Sequence, residues 1–135
     1  MDEEWAVGLT ALRRVLTNAS DARIVLGGHV SGFKGRMPGI AEEALCSLSA
    51  GQPLYVLGGF GGCARDIAEE LHLVPHRSTL VVPWAGREQF SGLDSTALRN
   101  GLGSDENETL ARTVHVDEAV ALMLRGLLRV FGTTA

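Results

Sequence analysis

Apolar residues recur at helical spacing in four segments of the chain, and short apolar runs lie between them. The spacing predicts helices over residues 4–18, 38–50, 63–71 and 117–131, the last of them apolar on nearly every side. The first helix carries its apolar residues at Trp5, Leu9, Leu12, Val15 and Leu16. Residues 23–26 and 53–57 are continuous apolar runs, which are typical of strands buried on both faces of a parallel sheet.

Weaker patterns follow in the second half of the chain. Thr79–Val82 and Thr113–Val116 predict two further strands, and residues 96–100 predict a short helix. Another short helix is expected over residues 105–111, with Ser104 as its N-terminal cap. Alternating strands and helices indicate an α/β fold with a small parallel sheet of three or four strands. The length of 135 residues predicts one domain over residues 1–135.

Charge and composition exclude several classes of function. Twelve basic residues stand against sixteen acidic ones, and Lys34 is the single lysine, so a nucleic-acid-binding protein is not expected. The chain has no apolar run long enough for a membrane span, and its acidic start is unlike a signal peptide. Cys46 and Cys63 are too few for a disulfide scaffold, so we expect a cytoplasmic protein.

Seventeen glycines are the informative excess, and they concentrate after the two strands. Val-Leu-Gly-Gly occurs at 25–28 and again at 56–59, and Phe60-Gly61-Gly62 then leads into a helix. Parallel strands end at the same edge of a sheet, so their turns can build one crevice whose backbone N–H groups hold phosphate. Tight turns and close helix packing are the alternative reason for these glycines. The predicted ligand-binding glycines are Gly27, Gly28, Gly58, Gly59, Gly61 and Gly62. A bulky residue at Gly59 is expected to abolish binding without unfolding the domain.

Four side chains near these turns are further candidates. His29 adjoins the first glycine pair, and Phe60 at the tip of the second turn either stacks on a base or fills a core gap. Arg36 precedes a helix start, where a cation is unfavourable unless an anion or a carboxylate compensates it. Glu43 either approaches a ribose or pairs with Arg36, while Glu42 is expected in solvent.

Neither a metal site nor a reactive thiol is predicted. His72 and His76 are four residues apart, but Pro75 interrupts a helix across them and no third ligand completes a set. Cys63 lies at a helix start, which can lower a thiol pKa, but its place on the apolar face favours core packing.

Several segments together resemble the SLOG superfamily, whose members are related to the LOG and lysine-decarboxylase-like proteins. They are residues 23–28, the stretch Gly35-Arg36-Met37-Pro38-Gly39-Ile40-Ala41-Glu42-Glu43-Ala44, residues 53–62, Asn100-Gly101-Leu102 with Glu106-Asn107, Asp117-Glu118 and Leu124-Arg125-Gly126-Leu127. The resemblance implies a Rossmann-like three-layer domain that binds a nucleotide-derived ligand, such as ADP-ribose, cyclic ADP-ribose, NAD or AMP. It also implies a regulatory role in bacterial antiphage defence or effector systems.

Two departures from that family shape the expected function. LOG enzymes carry proline, threonine and glutamate where this chain has Leu57, Gly62 and Arg65. The resemblance therefore implies ligand binding, with no catalytic residue and no resident cofactor. The alternatives are a LOG-like nucleotide phosphoribohydrolase, in which Glu43 is the substitute carboxylate, and a structural oligomerisation module. SLOG domains also carry an earlier half with its own glycine-rich turn, so we expect a homo-oligomer or a partner chain to complete the domain.

Overall fold

Two parallel strands with helices on both sides form the structure, a computed structural model that describes residues 2–77 and 83–132. The helices and strands in chain order are α1 (Asp2–Asn18), β1 (Arg23–Leu26), α2 (Gly39–Ser49), β2 (Leu54–Leu57), α3 (Gly62–Glu70), α4 (Ser104–Arg112) and α5 (Val116–Phe131). Three short 3-10 turns cover Gly58–Phe60, Arg87–Phe90 and Ser95–Leu98. The predicted α/β class, with a small parallel sheet between helical layers, is confirmed.

The register of the two strands assigns each residue to one face of the sheet. Ile24 pairs with Tyr55 and Leu26 with Leu57, while Val25 and Val56 point to the opposite face. Helices α2 and α3 cover the valine face and form the larger core with it. Helices α4 and α5 pack on Tyr55 and Leu57 on the other face. The sheet is therefore the middle of three layers.

Helix α5 covers only part of the sheet face on which it packs. Ile24 and Leu26 of β1 remain 47% and 50% exposed, although their partners on β2 are buried. Helix α5 buries Ala119, Leu122 and Gly126, and its flank opposite Glu118, Arg125 and Arg129 stays open. The exposed apolar residues of that helix include Val116, Val120, Leu124, Leu128 and Phe131. A helix that is apolar on nearly every side is therefore only half buried here.

Helix α1 packs on α2 through residues outside its main apolar stripe. Ala6 and Thr17 are buried against the rest of the protein. Arg13 Nη1 donates to Glu42 Oε1 over 2.7 Å, and Thr10 Oγ1 donates to Glu42 Oε2 over 2.8 Å. Glu42 is therefore buried, and the expectation that it lies in solvent is wrong. Trp5, Leu12, Val15 and Leu16 are exposed on the flank that α2 leaves open.

Residues that carry the family resemblance in the second half fasten α5 to the sheet. The Tyr55 hydroxyl donates to the backbone oxygen of Asn100 over 2.9 Å, and the Asn100 side-chain amide donates to Leu54 O over 2.8 Å. A Cβ at Gly126 would collide with that same Asn100 oxygen and with the Tyr55 ring. This part of the motif therefore serves the packing of α5 against the sheet.

The weaker predictions had mixed outcomes. Thr113–Val116 is not a strand: Thr113 Oγ1 accepts a hydrogen bond from the His115 N–H, and Val116 already begins α5. The helix predicted over 105–111 is α4, but Gly103, not Ser104, is its cap residue, and the Glu106 carboxylate accepts from the Gly103 N–H. The short helix near 96–100 is the turn Ser95–Leu98. Thr79–Val82 lies outside the described residues.

Candidate functional site

The two glycine turns lie against each other at the carboxyl ends of β1 and β2. Cys63 N donates to Gly28 O over 3.0 Å, and Ala64 N donates to Gly27 O over 2.9 Å. A Cβ at Gly62 would lie 2.5 Å from the carbonyl carbon of Gly27, so the turns touch through main chain. The structure therefore brings the six predicted glycines into one place.

This contact changes which N–H groups could hold an anion. The first turn of a helix leaves its amides free, and the pattern predicts that those of α3 face a ligand. Two of them, from Cys63 and Ala64, instead donate to the carbonyls of the first turn. The N–H groups of Gly59 and Gly62 donate to no acceptor within the described residues, while that of Phe60 belongs to the 3-10 turn Gly58–Phe60. The candidate cradle is therefore the second turn and the very start of α3.

The six predicted glycines of the two turns divide into packed and open positions. A Cβ at Gly28 would meet Ile40, and one at Gly58 would lie 2.7 Å from Ala111 O. A Cβ at Gly59 would collide with Thr113 O and lie 2.8 Å from Arg112 O. Only Gly27 and Gly61 among the six have open space where a Cβ would lie, and their φ angles are +62° and +78°.

These packed positions correct the expected Gly59 experiment. A bulky residue there would displace the end of α4, since it meets two backbone carbonyls that cannot turn aside. The prediction of lost binding in an intact domain is therefore wrong for Gly59. Gly61 is the position at which a new side chain enters open space instead of the core.

Two of the four candidate side chains lie at the rim of the turns. His29 is exposed directly after Gly28. Phe60 is 40% exposed at the tip of the second turn, so it does not fill a core gap and presents its ring outward. Their contact with a ligand remains a prediction.

The other two candidates, Arg36 and Glu43, form ion pairs with residues outside the two glycine turns. Arg36 Nη2 lies 3.4 Å from Glu3 Oε1, beside a cleft of about 520 Å³ at the start of α1. Glu43 Oε2 lies 3.4 Å from Arg23 Nη1, so the expected pairing of Glu43 with Arg36 is wrong. A carboxylate therefore supplies the compensation that the position of Arg36 requires.

The carboxylates of α3, which follows the second turn, are all engaged by arginines. Asp66 accepts from Arg77, from Arg87 and from the Trp84 indole, whose Nε1 lies 2.9 Å from Oδ2. Arg87 Nε also lies 2.8 Å from Glu70 Oε1. Sequence reasoning missed this cluster, although three acids within five residues of α3 were a signal that cations must lie nearby.

The pKa values agree with a structural role for this part of α3. Burial would raise the pKa of Glu69, but the backbone N–H and guanidinium of Arg77 outweigh it and lower that pKa. Burial, followed by the charge of Asp66, raises the pKa of Cys63 to about 12. The thiol is therefore protonated and inert at neutral pH. Core packing of Cys63 is confirmed, since its side chain is fully buried.

The chain is similar to one known protein family over most of its length. A family model described as SLOG cluster2 matches residues 1–118. The chain belongs to this SLOG family. Comparisons with curated proteins and with solved structures find no match. Membership of this SLOG family supports a nucleotide-related function at the level of the family.

No helix within residues 2–77 and 83–132 is long and apolar enough to cross a bilayer. The same ranges hold no group of three or more His, Cys, Asp or Glu side chains placed to bind one metal ion.

Proposed function

We propose that the adjoining glycine turns bind the phosphate of a nucleotide-derived ligand, such as ADP-ribose, cyclic ADP-ribose, NAD or AMP. The observation that carries the proposal is the pair of N–H donors on Gly59 and Gly62 without an acceptor among the described residues. Such donors at a helix start favour an anion, and the open sides of Gly27 and Gly61 leave room for one.

Binding without turnover is the mode that the site favours. Arg65 occupies the position of the LOG glutamate, and the substitute carboxylate, Glu43, lies against Arg23. A phosphoribohydrolase needs a carboxylate free to face the ribose. We therefore propose that ligand occupancy regulates a bacterial defence or effector system, and that prolonged incubation with AMP releases no adenine.

Calorimetry with the four ligands tests the proposal. Phe60→Ala should weaken the tightest of them by about tenfold through lost stacking on the base. Gly61→Ala should abolish its binding, because the new methyl group enters the cradle.

Gly92→Ala is the matched control, since Gly92 also has a positive φ, +81°, and open space, but lies in a separate loop. It should carry similar backbone strain and bind normally. If none of the ligands binds, or if Gly61→Ala and Gly92→Ala bind equally well, the proposal is overturned.

A second candidate function, association with another copy of this chain, is favoured by the exposed apolar surface. The exposed apolar residues lie on α1, β1 and α5 and include Trp5, Leu12, Val15, Leu16, Ile24, Leu26, Val120, Leu124 and Phe131. Strand β1 also has β2 as its one neighbour in the described sheet, so its other edge suits pairing with its own copy.

Light scattering tests this association. The wild type should be a dimer, and Ile24→Lys should be a folded monomer because it places a charge on the contact. Val7→Lys is the control, since Val7 is exposed on the other flank of α1. A monomeric wild type, or a dimer that survives Ile24→Lys, overturns the second candidate.

A further inference from the structure

A cleft of about 490 Å³ lies behind the second glycine turn, between α3 and α4. Its polar lining comes from Arg65, His72, His76, Glu108 and Arg112. A Cβ at Gly58 would lie 3.4 Å from the Cα of Arg65, and one at Gly59 would lie 2.8 Å from the backbone oxygen of Arg112. Both arginines of the cleft therefore lie on the packed side of this turn, beside Gly58 and Gly59. The open sides of Gly27 and Gly61 are elsewhere.

Arg65 is held in place but is only partly satisfied. Its Nη2 donates to Pro75 O over 2.9 Å, which fixes the guanidinium at the cleft wall. Its Nε is buried without a hydrogen-bond partner and lies 4.0 Å from Glu69 Oε1. That carboxylate already accepts from Arg77 over 2.8 Å and 3.2 Å. Arg65 is therefore a cation whose charge Glu69 does not fully compensate.

Arg112 adds a second cation with little compensation. Its Nη2 reaches Thr109 Oγ1 at 3.4 Å, and no carboxylate of the described residues lies within 4.0 Å of it. Glu108 is the one acidic side chain in the cleft lining, against two guanidinium groups and two imidazoles. The lining therefore carries one more cation than anion, with forked donors of the kind that match phosphate, and His76 Nε2 lies 3.9 Å from Glu70 Oε1 at its edge.

The backbone at His72 is the second unusual feature of the cleft. His72 has φ +59° at the end of α3, a position that glycine usually fills because other side chains are strained there. The His72 N–H donates to Glu69 O and the Leu73 N–H to Ala68 O, which ends the helix in the usual left-handed manner. The strained residue presents an imidazole to the cleft, where glycine would present nothing.

We propose that this cleft is a second anion site, which binds a phosphate ester or pyrophosphate group independently of the glycine cradle. Arg65 and Arg112 provide the guanidinium donors, and His72 and His76 provide ring N–H donors. Glu108 is placed to accept from a hydroxyl group of the same ligand, such as that of a phosphorylated sugar. The site needs no step of chemistry and no metal ion.

Phosphorus NMR titration with inorganic pyrophosphate tests this site. Arg112→Gln and His72→Gly should each weaken binding by about tenfold or more, the effect of losing one charged or strong hydrogen bond. His72→Gly relieves the backbone strain while it removes the imidazole, so it should not unfold the protein. Arg99→Gln is the control, because Arg99 is an exposed arginine outside the cleft.

The outcomes separate this site from the glycine cradle. Gly61→Ala should leave pyrophosphate affinity at the cleft unchanged if the two sites are distinct. Loss of pyrophosphate binding in Gly61→Ala alone would assign the anion to the cradle and overturn the second site. Equal weakening by Arg99→Gln and Arg112→Gln would show diffuse attraction to surface charge and would also overturn it.

Discussion

Val-Leu-Gly-Gly ends both strands, at 25–28 and at 56–59, and the two copies can be compared residue by residue. In the first copy both glycines have positive φ, and Gly27 has open space beside it. In the second copy neither glycine has a positive φ, and both are packed against the backbone at the end of α4. The first copy therefore needs glycine for its backbone conformation, whereas the second needs it for close approach. An identical tetrapeptide does not fix which of these reasons applies.

The largest effect should come from adding one methyl group to each copy. Gly59→Ala should lower the free energy of unfolding by about 3 kcal/mol, because its Cβ meets the carbonyls of Arg112 and Thr113. Gly27→Ala should lower it by only about 1 kcal/mol, the cost of a left-handed conformation in open space. Urea denaturation of both variants measures the difference. Equal losses would mean that the two copies are equivalent after all.

A second pair of variants tests the contact between the turns. Gly62→Ala should cost about 2 kcal/mol and separate the turns, since its Cβ would lie 2.5 Å from Gly27 C and 2.6 Å from Gly28 O. Its signature is faster hydrogen exchange at the Cys63 and Ala64 amides, which donate across that contact.

Gly61→Ala is its neighbour-matched control. Gly61 also has a positive φ, but a Cβ there has nothing within 4 Å. It should destabilise the chain through backbone strain and leave the protection of Cys63 and Ala64 unchanged relative to global unfolding. Faster exchange in both variants would show that strain, and not the contact, holds those amides.

Local pattern predicted the parts of the fold whose causes lie within a few residues. Both strands, helices α1, α2, α3 and α5, and the adjoining turns follow from periodicity and glycine placement. The division of the glycines could not be predicted, because the atoms that pack on Gly58 and Gly59 belong to residues 111–113. The burial of Glu42 likewise depends on Thr10 and Arg13, about thirty residues away.

The failure at Thr113–Val116 has a local cause of a different kind. Threonine and valine favour strands, and the same segment closes α4 and opens α5. Its Val114 and Val116 side chains are exposed, so no core rewards the strand conformation. At the site, sequence placed the glycines together and allowed a carboxylate partner for Arg36, but it did not identify Glu3 as that partner or Arg23 as the partner of Glu43, because ion pairs across elements carry no periodic signal.

The smallest effect should come from the ion pairs that stabilise α4, the helix whose end packs on the second glycine turn. Glu106 accepts from the Gly103 N–H and then from Arg129 and Arg125 of α5, and these bonds lower its pKa from 4.5 to about 2. A lowered folded-state pKa stabilises the protein above the unfolded value, and the effect is lost as pH falls from about 4.5 towards 2. Glu106→Gln should therefore be less stable than the wild type at pH 7, and the gap should narrow as the pH falls towards about 2. Urea denaturation across that range measures the gap. The control is Glu88→Gln, since Glu88 is an exposed glutamate outside α4.

A gap that stays constant with pH would mean that Glu106 acts through packing and not through its charge. If exchange of the Gly61 amide, which donates to Gly58 O within the second turn, rises relative to global unfolding in Glu106→Gln, then α4 also supports the second copy.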